Sequence, residues 1–145
     1  MSLKGNVAAT YQGSGNSALK DYYPAWVNNL ADDVTIEGSL LDGAAQGPDA
    51  VRKIVGGLRS LYEHQAFRFA GPYGDNGFLE EYVAHVRGEP IGCVVLVARN
   101  AAGNVQHIVA NYRPRSSLLL LSRLMREKLA GTPYAEQFAA GDSPR

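Results

Sequence analysis

Residues 30–55 read LADDVTIEGSLLDGAAQGPDAVRKIV, and this stretch follows two different periods in turn. From Val34 to Leu41 it alternates. Val34, Ile36 and Leu40 fall on one side with Gly38 between them, and Thr35, Glu37 and Ser39 fall on the other, which predicts a strand over 34–41. After the loop DGAAQG the spacing becomes helical. Gly47 suits the cap, Pro48 the first turn, and Asp49 the positive end of the helix dipole. Val51, Ile54, Val55, Leu58, Leu61 and Tyr62 then form one face, with Arg52, Lys53 and Arg59 on the other. Two mid-helix glycines, Gly56 and Gly57, cost about 1 kcal/mol each relative to alanine. They imply a close approach by another element or room for a cavity.

Upstream, residues 1–16 are polar and glycine-rich and read as a flexible arm. A short helix carrying Leu19, Tyr22, Tyr23, Trp26 and Leu30 starts either at Ser17 or near Pro24, because proline fits only a first helical turn. Asp32 and Asp33 read as the end of that helix. Downstream, strands are predicted near 64–71, 78–87, 91–100 and 104–113, separated by the turn signals DNG (75–77), RGEP (87–90) and NAAG (100–103). These connections are too short for crossover helices, so the strands should run antiparallel. PRSSLLLLSRLMREKLAG (114–131) predicts a final helix, with Ser116 or Ser117 as its cap and Gly131 as its stop. Leu118, Leu121, Met125 and Leu129 form its packing or dimer seam. Residues 132–145 read as an extended or mobile tail. The sum is one α+β domain over 17–131, with helices on one face of a curved antiparallel sheet.

The chain has 145 residues, and 46% of them are hydrophobic, enough for a core in one domain of ordinary size. Formal net charge is zero and basic residues never run longer than two, which argues against a nucleic-acid partner. The single cysteine, Cys93, reads as a small buried apolar residue. No segment approaches 18 consecutive apolar residues, and the N-terminus lacks a basic region followed by an apolar run. A cytoplasmic protein without a membrane partner is therefore the expectation.

The stretch from Leu30 to Val55 resembles the nuclear-transport-factor-2-like superfamily, which includes ketosteroid isomerases, SnoaL-like polyketide cyclases and scytalone dehydratase. The elements that carry the resemblance are ADDV (31–34) followed by a strand, then Gly47, Ala50, Val51 and Arg52 at the helix start. The later Gly103, Val105 and Tyr112 add to it. Tyr112 to Pro114, YRP, is similar to members with an extra C-terminal helix. The resemblance spans about residues 20–130. It implies a cystatin-like cone, in which a strongly curved sheet wraps helices around an apolar pocket, and a homodimer formed through the sheet. It does not by itself imply one activity.

The isomerase branch provides a test. Its pattern A-D-D-x-x-x-E-D matches Ala31, Asp32, Asp33 and Glu37, but the position of its catalytic base falls on Gly38. The position of its oxyanion-stabilising acid falls on Val95. Its helical tyrosine falls in QGSGN, with Tyr11 out of register. Ketosteroid-isomerase chemistry is therefore not expected. The same alignment turns Val34, Ile36, Gly38, Ile91, Cys93, Val95 and Val97 inward. Carried through the turns, it also turns Glu80, Tyr82, Ala84, Val86, Ile108, Ala110 and Tyr112 inward. Tyr23, Trp26, Val55 and Tyr62 would close the cavity from the helices. Such a pocket suits an apolar or aromatic small molecule.

Within it, Glu80 is the acid–base candidate, since a carboxylate facing an apolar cavity can work near neutral pH. A one-residue slip would exchange it with Glu81. His64, at the start of a strand, is a second catalytic candidate. His64, His85 and His107 lack metal-ligand spacing, so no metal is expected, and the parity turns His85 and His107 outward toward a dimer partner. No G-x-S-x-G or phosphate loop is present, and no cofactor is implied. The leading expectation is a SnoaL-like small-molecule-binding protein. The alternatives are an isomerase, dehydratase or cyclase using Glu80 or His64 with Tyr82 or Tyr112, and a protein-interaction module.

Overall fold

The computed structural model describes residues 25–138. A 3-10 helical turn at Ala25–Asn28 leads into strand β1 (Leu30–Gly38). A two-residue strand β2 (Ala45–Gln46) follows, then helix α1 (Pro48–Leu61). Four long strands come next: β3 (Glu63–Tyr73), β4 (Gly77–Val86), β5 (Glu89–Arg99) and β6 (Val105–Arg113). Helix α2 (Arg115–Lys128) and a 3-10 turn at Ala135–Gln137 complete the fold. The strands form one curved sheet in the order β2-β1-β6-β5-β4-β3.

The sheet is mixed, which corrects the antiparallel expectation. β1 runs parallel to β6, while β3 to β6 form the antiparallel meander that the turn signals predict. Parallel pairing between strands distant in sequence leaves no turn signature to read. The loop DGAAQG contains β2, whose Ala45 pairs with Ile36.

Asp32 and Asp33 do not end a helix. They lie inside β1, both exposed, between buried Ala31 and Val34. Two consecutive outward residues require a bulge, and the β1–β6 register shifts between Leu30 and Thr35. The bulge conceals four residues of strand from an alternation count, and so β1 begins at Leu30 instead of 34. Asp33 accepts hydrogen bonds of 3.1 and 3.2 Å from Gln106 Nε2. Any helix starting at Ser17 lies outside the described residues.

Gly47 caps α1 at a positive φ of 103° that glycine tolerates, with Pro48 following it. The two mid-helix glycines are used differently. A Cβ built at Gly57 would lie 3.0 Å from Cε of Met125, so Gly57 admits α2. A Cβ at Gly56 would meet nothing within 4 Å among the described residues. The α2 stripe packs inward: Leu121, Met125 and Leu129 are buried and Leu118 is partly so. The cap of α2 is Pro114, not a serine. Ser117 lies inside the helix and its hydroxyl donates to the Pro90 carbonyl at 2.7 Å.

The stretch after 131 also differs from expectation as far as residue 138. Phe138 is fully buried and bridges to Leu41, the Asp42 amide donates to the Gln137 carbonyl at 2.8 Å, and Tyr134 Oη donates to Asp49 at 2.8 Å. A large aromatic side chain with apolar surface to cover explains why this segment returns to the body.

The two-residue turn Arg87–Gly88 has positive φ at both residues, 51° and 82°, as a tight hairpin turn requires. Val86 and Glu89 pair directly across it, which sets the β4–β5 register. Gly38, at the end of β1, has a φ of 150°, and a Cβ built there would collide with the backbone carbonyl of Ala110. Gly38→Ala should lower stability by about 2–4 kcal/mol through strain and displacement of β1 from β6, measured by urea denaturation. A loss below about 0.5 kcal/mol would show that this junction is loose.

Candidate functional site

Three inward-facing rows of side chains cross the sheet. One runs Phe67, Tyr82, Cys93, Tyr112 on β3 to β6. The next runs Ala70, Glu80, Val95, Ala110 and, on β1, Gly38. The third runs Phe78, Val97, Ile108, Ile36. The predicted parity holds along these strands: Val34, Ile91, Val97, Ala84 and Val86 are all buried. It also resolves the Glu80–Glu81 pair. Glu80 is only 2% exposed, whereas Glu81 faces outward and pairs with Arg113 at 2.7 Å.

The rows enclose a cavity of about 50 Å³. Of the predicted site residues, Trp26, Val55, Tyr62, Glu80 and Tyr82 line it, as do Val95, Ile108, Ala110 and Tyr112. Leu58, Arg59, Gln65 and Phe67 line it too and were not anticipated. Gly38 instead borders a smaller neighbouring cavity of about 10 Å³, together with Phe138. Cys93 lies fully buried in the tyrosine row, and Ala84 is buried closer to the β4–β5 turn; neither lines the cavity. Tyr23 lies outside the described residues.

His64 is exposed, has a φ of 56°, and stands in the irregular register between Glu63 and Ala66, outside the cavity lining. The bulge takes this histidine out of alternation. Its ring meets His85 edge-on, with centroids 5.8 Å apart. His107 is engaged within its own chain: Nδ1 lies 2.8 Å from the Thr35 hydroxyl and Nε2 lies 3.0 Å from Glu37.

The polar centre of the cavity wall is a cluster of three tyrosines. Tyr62, just past the end of α1, places its hydroxyl 2.6 Å from those of both Tyr82 and Tyr112, and the latter two are 3.4 Å apart. Burial is the main force raising all three hydroxyls well above the ordinary tyrosine range, with the adjacent Cys93 sulfur adding to it. Burial likewise pushes the Cys93 thiol up to about 12, against hydrogen bonds from Tyr82 and Tyr112 that favour the thiolate. The four groups are therefore neutral donors at physiological pH. Trp26 Nε1 is buried and has no hydrogen-bond partner among the described residues. Such an unmade bond costs about 1–3 kcal/mol.

No protein-family model matches the chain, and no curated protein matches it. Solved structures do. The chain is similar to a steroid delta-isomerase from Pseudomonas aeruginosa, at 19% identity over 86% of this chain and 92% of that one, with a TM-score of 0.71. It is also similar to an uncharacterized bacterial protein with a cystatin-like fold from Silicibacter pomeroyi, at 20% identity over 77% and 82%, with a TM-score of 0.69. The fold is the nuclear-transport-factor-2-like cone. A third likeness, to an NTF-2 like protein of unknown function from Burkholderia xenovorans, has 16% identity over 79% and 88%, with a TM-score of 0.56. Identities this low establish the cone and leave its chemistry to be argued from this chain's own residues. Gly38 has no side chain, and its backbone leaves no space for one.

The buried hydroxyls and thiol make stability depend on alkaline pH. Their folded pKa values lie above the unfolded values of 9.0 for Cys93 and 10.0 for the tyrosines. In the unfolded chain they ionise first, so the unfolded state then binds fewer protons. Their contribution is complete below about pH 9 and declines as pH rises above it. Denaturation midpoints should stay flat to about pH 9 and then fall steeply, and Tyr62→Phe should make the fall shallower. A midpoint that rises or stays level to pH 11 would contradict the burial of these groups.

Proposed function

We infer that this chain is a small-molecule-binding protein whose ligand is mostly apolar and carries one hydrogen-bond acceptor. The observation that supports this most directly is the convergence of three tyrosine hydroxyls on a mostly apolar cavity wall. Three hydroxyls hold three hydrogens, and the two 2.6 Å contacts of Tyr62 use two of them. The third hydrogen has weak choices: the 3.4 Å Tyr82–Tyr112 contact and the Cys93 sulfur. A ligand carbonyl or ether oxygen satisfies it better. The cavity is about a third of the roughly 150 Å³ that holds benzene. Binding of a ring therefore goes with widening of the cone.

Acid–base chemistry at Glu80 is the second reading. Glu80 is buried on the cavity wall, one strand from Val95 and in the same cross-sheet row as Gly38. That row includes the two positions where the isomerase branch keeps its acids. A carboxylate there, two residues along β4 from Tyr82, places a proton carrier beside a hydroxyl donor.

Titration with 2-naphthol and 2-acetylnaphthalene, followed by tryptophan fluorescence, tests the binding reading. Both should bind. Tyr62→Phe should weaken binding of the ketone about tenfold and cost about 1–3 kcal/mol of stability through the two lost hydrogen bonds. Equal affinity in Tyr62→Phe would remove the tyrosines from recognition. For the second reading, turnover of a β,γ-unsaturated ketone that disappears in Glu80→Gln while binding persists would support catalysis. Binding without turnover would leave the protein a binder for that class.

The outer face of the sheet carries a row of half-buried Leu79, Leu96 and Val109, next to the Glu81–Arg113 ion pair. This apolar row supports a homodimer through the sheet. Among the described residues no helix is long and apolar enough to cross a membrane. Sedimentation at micromolar concentration should give a dimer that Leu96→Glu splits; a wild-type monomer would contradict it.

A further inference from the structure

Phe138 puts a fully buried phenyl ring at the end of a segment that is otherwise partly or wholly exposed from 132 to 137. The ring lines the small cavity of about 10 Å³. Ile36, Leu58, Ala110 and Tyr112 line that cavity and the 50 Å³ cavity as well. The two spaces are therefore neighbours across one shared wall, and Phe138 stands on the far side of it. Tyr112 brings one hydroxyl of the tyrosine cluster to that wall.

The segment that carries the ring is held locally. It leaves α2 at Gly131, whose φ of 88° glycine adopts without strain. Tyr134 Oη donates to Asp49 at 2.8 Å in an exposed position. The Asp42 amide donates to the Gln137 carbonyl at 2.8 Å, and Phe138 bridges to Leu41. The side-chain oxygen of Gln137 is buried with no hydrogen-bond partner among the described residues, a cost that release of the segment removes. Burial of the phenyl ring is thus the main fastening. A second ring that takes its position buries the apolar area that the phenyl gives up, so the exchange is close to even.

We propose that Phe138 occupies the ring subsite of the ligand and that the ligand is a small aryl ketone. The ligand displaces the strap 132–138, its ring takes the position of the Phe138 phenyl, and its carbonyl oxygen meets the tyrosine hydroxyls at the shared wall. This rests on the cavity-binding reading above and adds the ligand's aromatic class and its way in. A phenyl ring matches benzene in size, so its withdrawal frees the space that the 50 Å³ cavity lacks. The closed strap lowers the apparent affinity, because only the released fraction takes up the ring.

The test is titration of the full chain with 2-acetylnaphthalene by tryptophan fluorescence, together with amide hydrogen exchange. Phe138→Ala should bind the ketone about tenfold more tightly than the unaltered chain. Tyr134→Phe loosens the strap and lines neither cavity, and it should tighten binding about twofold to threefold. In the unaltered chain the Asp42 amide should exchange faster with the ketone bound than without it, because its acceptor on Gln137 leaves, while the amides of β4 to β6 exchange more slowly. That readout holds even if Phe138→Ala fails to fold. Ketone binding that leaves the Asp42 amide equally or better protected would overturn the displacement and leave the cavity reading standing. Failure of the ketone to bind the unaltered chain and both variants would overturn both.

Discussion

The site depends on the alignment of Tyr82, Cys93 and Tyr112 in one row across three strands. The row exists because the Arg87–Gly88 turn fixes β4 against β5 and the short connection after β5 fixes it against β6. Tyr62, one residue past α1, then reaches both flanking hydroxyls at once. A one-residue slip of β4 would turn Tyr82 outward and put Glu81 in place of Glu80. Hydroxyl network, buried carboxylate and apolar lining are thus consequences of one register. Helix α1 serves the site through its inner face, which brings Val55 and Leu58 to the cavity.

Most of this was legible in the sequence because period-two alternation is a strict rule. The family resemblance turns Gly38 and Val95 inward, turn lengths carry that parity to Glu80, Tyr82 and Tyr112, and all three are buried as it expects. The misreadings arise where that rule is interrupted. A bulge in β1 made Asp32 and Asp33 resemble a helix end, and a bulge in β3 moved His64 away from the cavity. Parallel pairing of β1 with β6 has no local signal. Phe138 folds back because of what it buries, which a polar, proline-containing tail does not announce. Phe67 sits in the tyrosine row and was missed because the β3 register shifts on either side of it. Arg59 reads from the sequence as part of the solvent face of α1, although it lines the cavity.

Gly38, Ala110, Val95 and Glu80 form one row across the pocket. Here β1 approaches β6 so closely at Gly38 that an acid there would break the junction. The carboxylate stands instead on β4, and the hydroxyl donors occupy the adjacent row.

The account stands on a short, neutral hydroxyl network with one hydrogen available to a ligand. Proton NMR of the hydroxyl resonances tests it most directly. The free protein should show two slowly exchanging, far-downfield hydroxyl protons that both vanish in Tyr62→Phe, and a third should appear when 2-acetylnaphthalene is added. Hydroxyl protons that exchange freely with water, or a spectrum unchanged by the ketone, would contradict it.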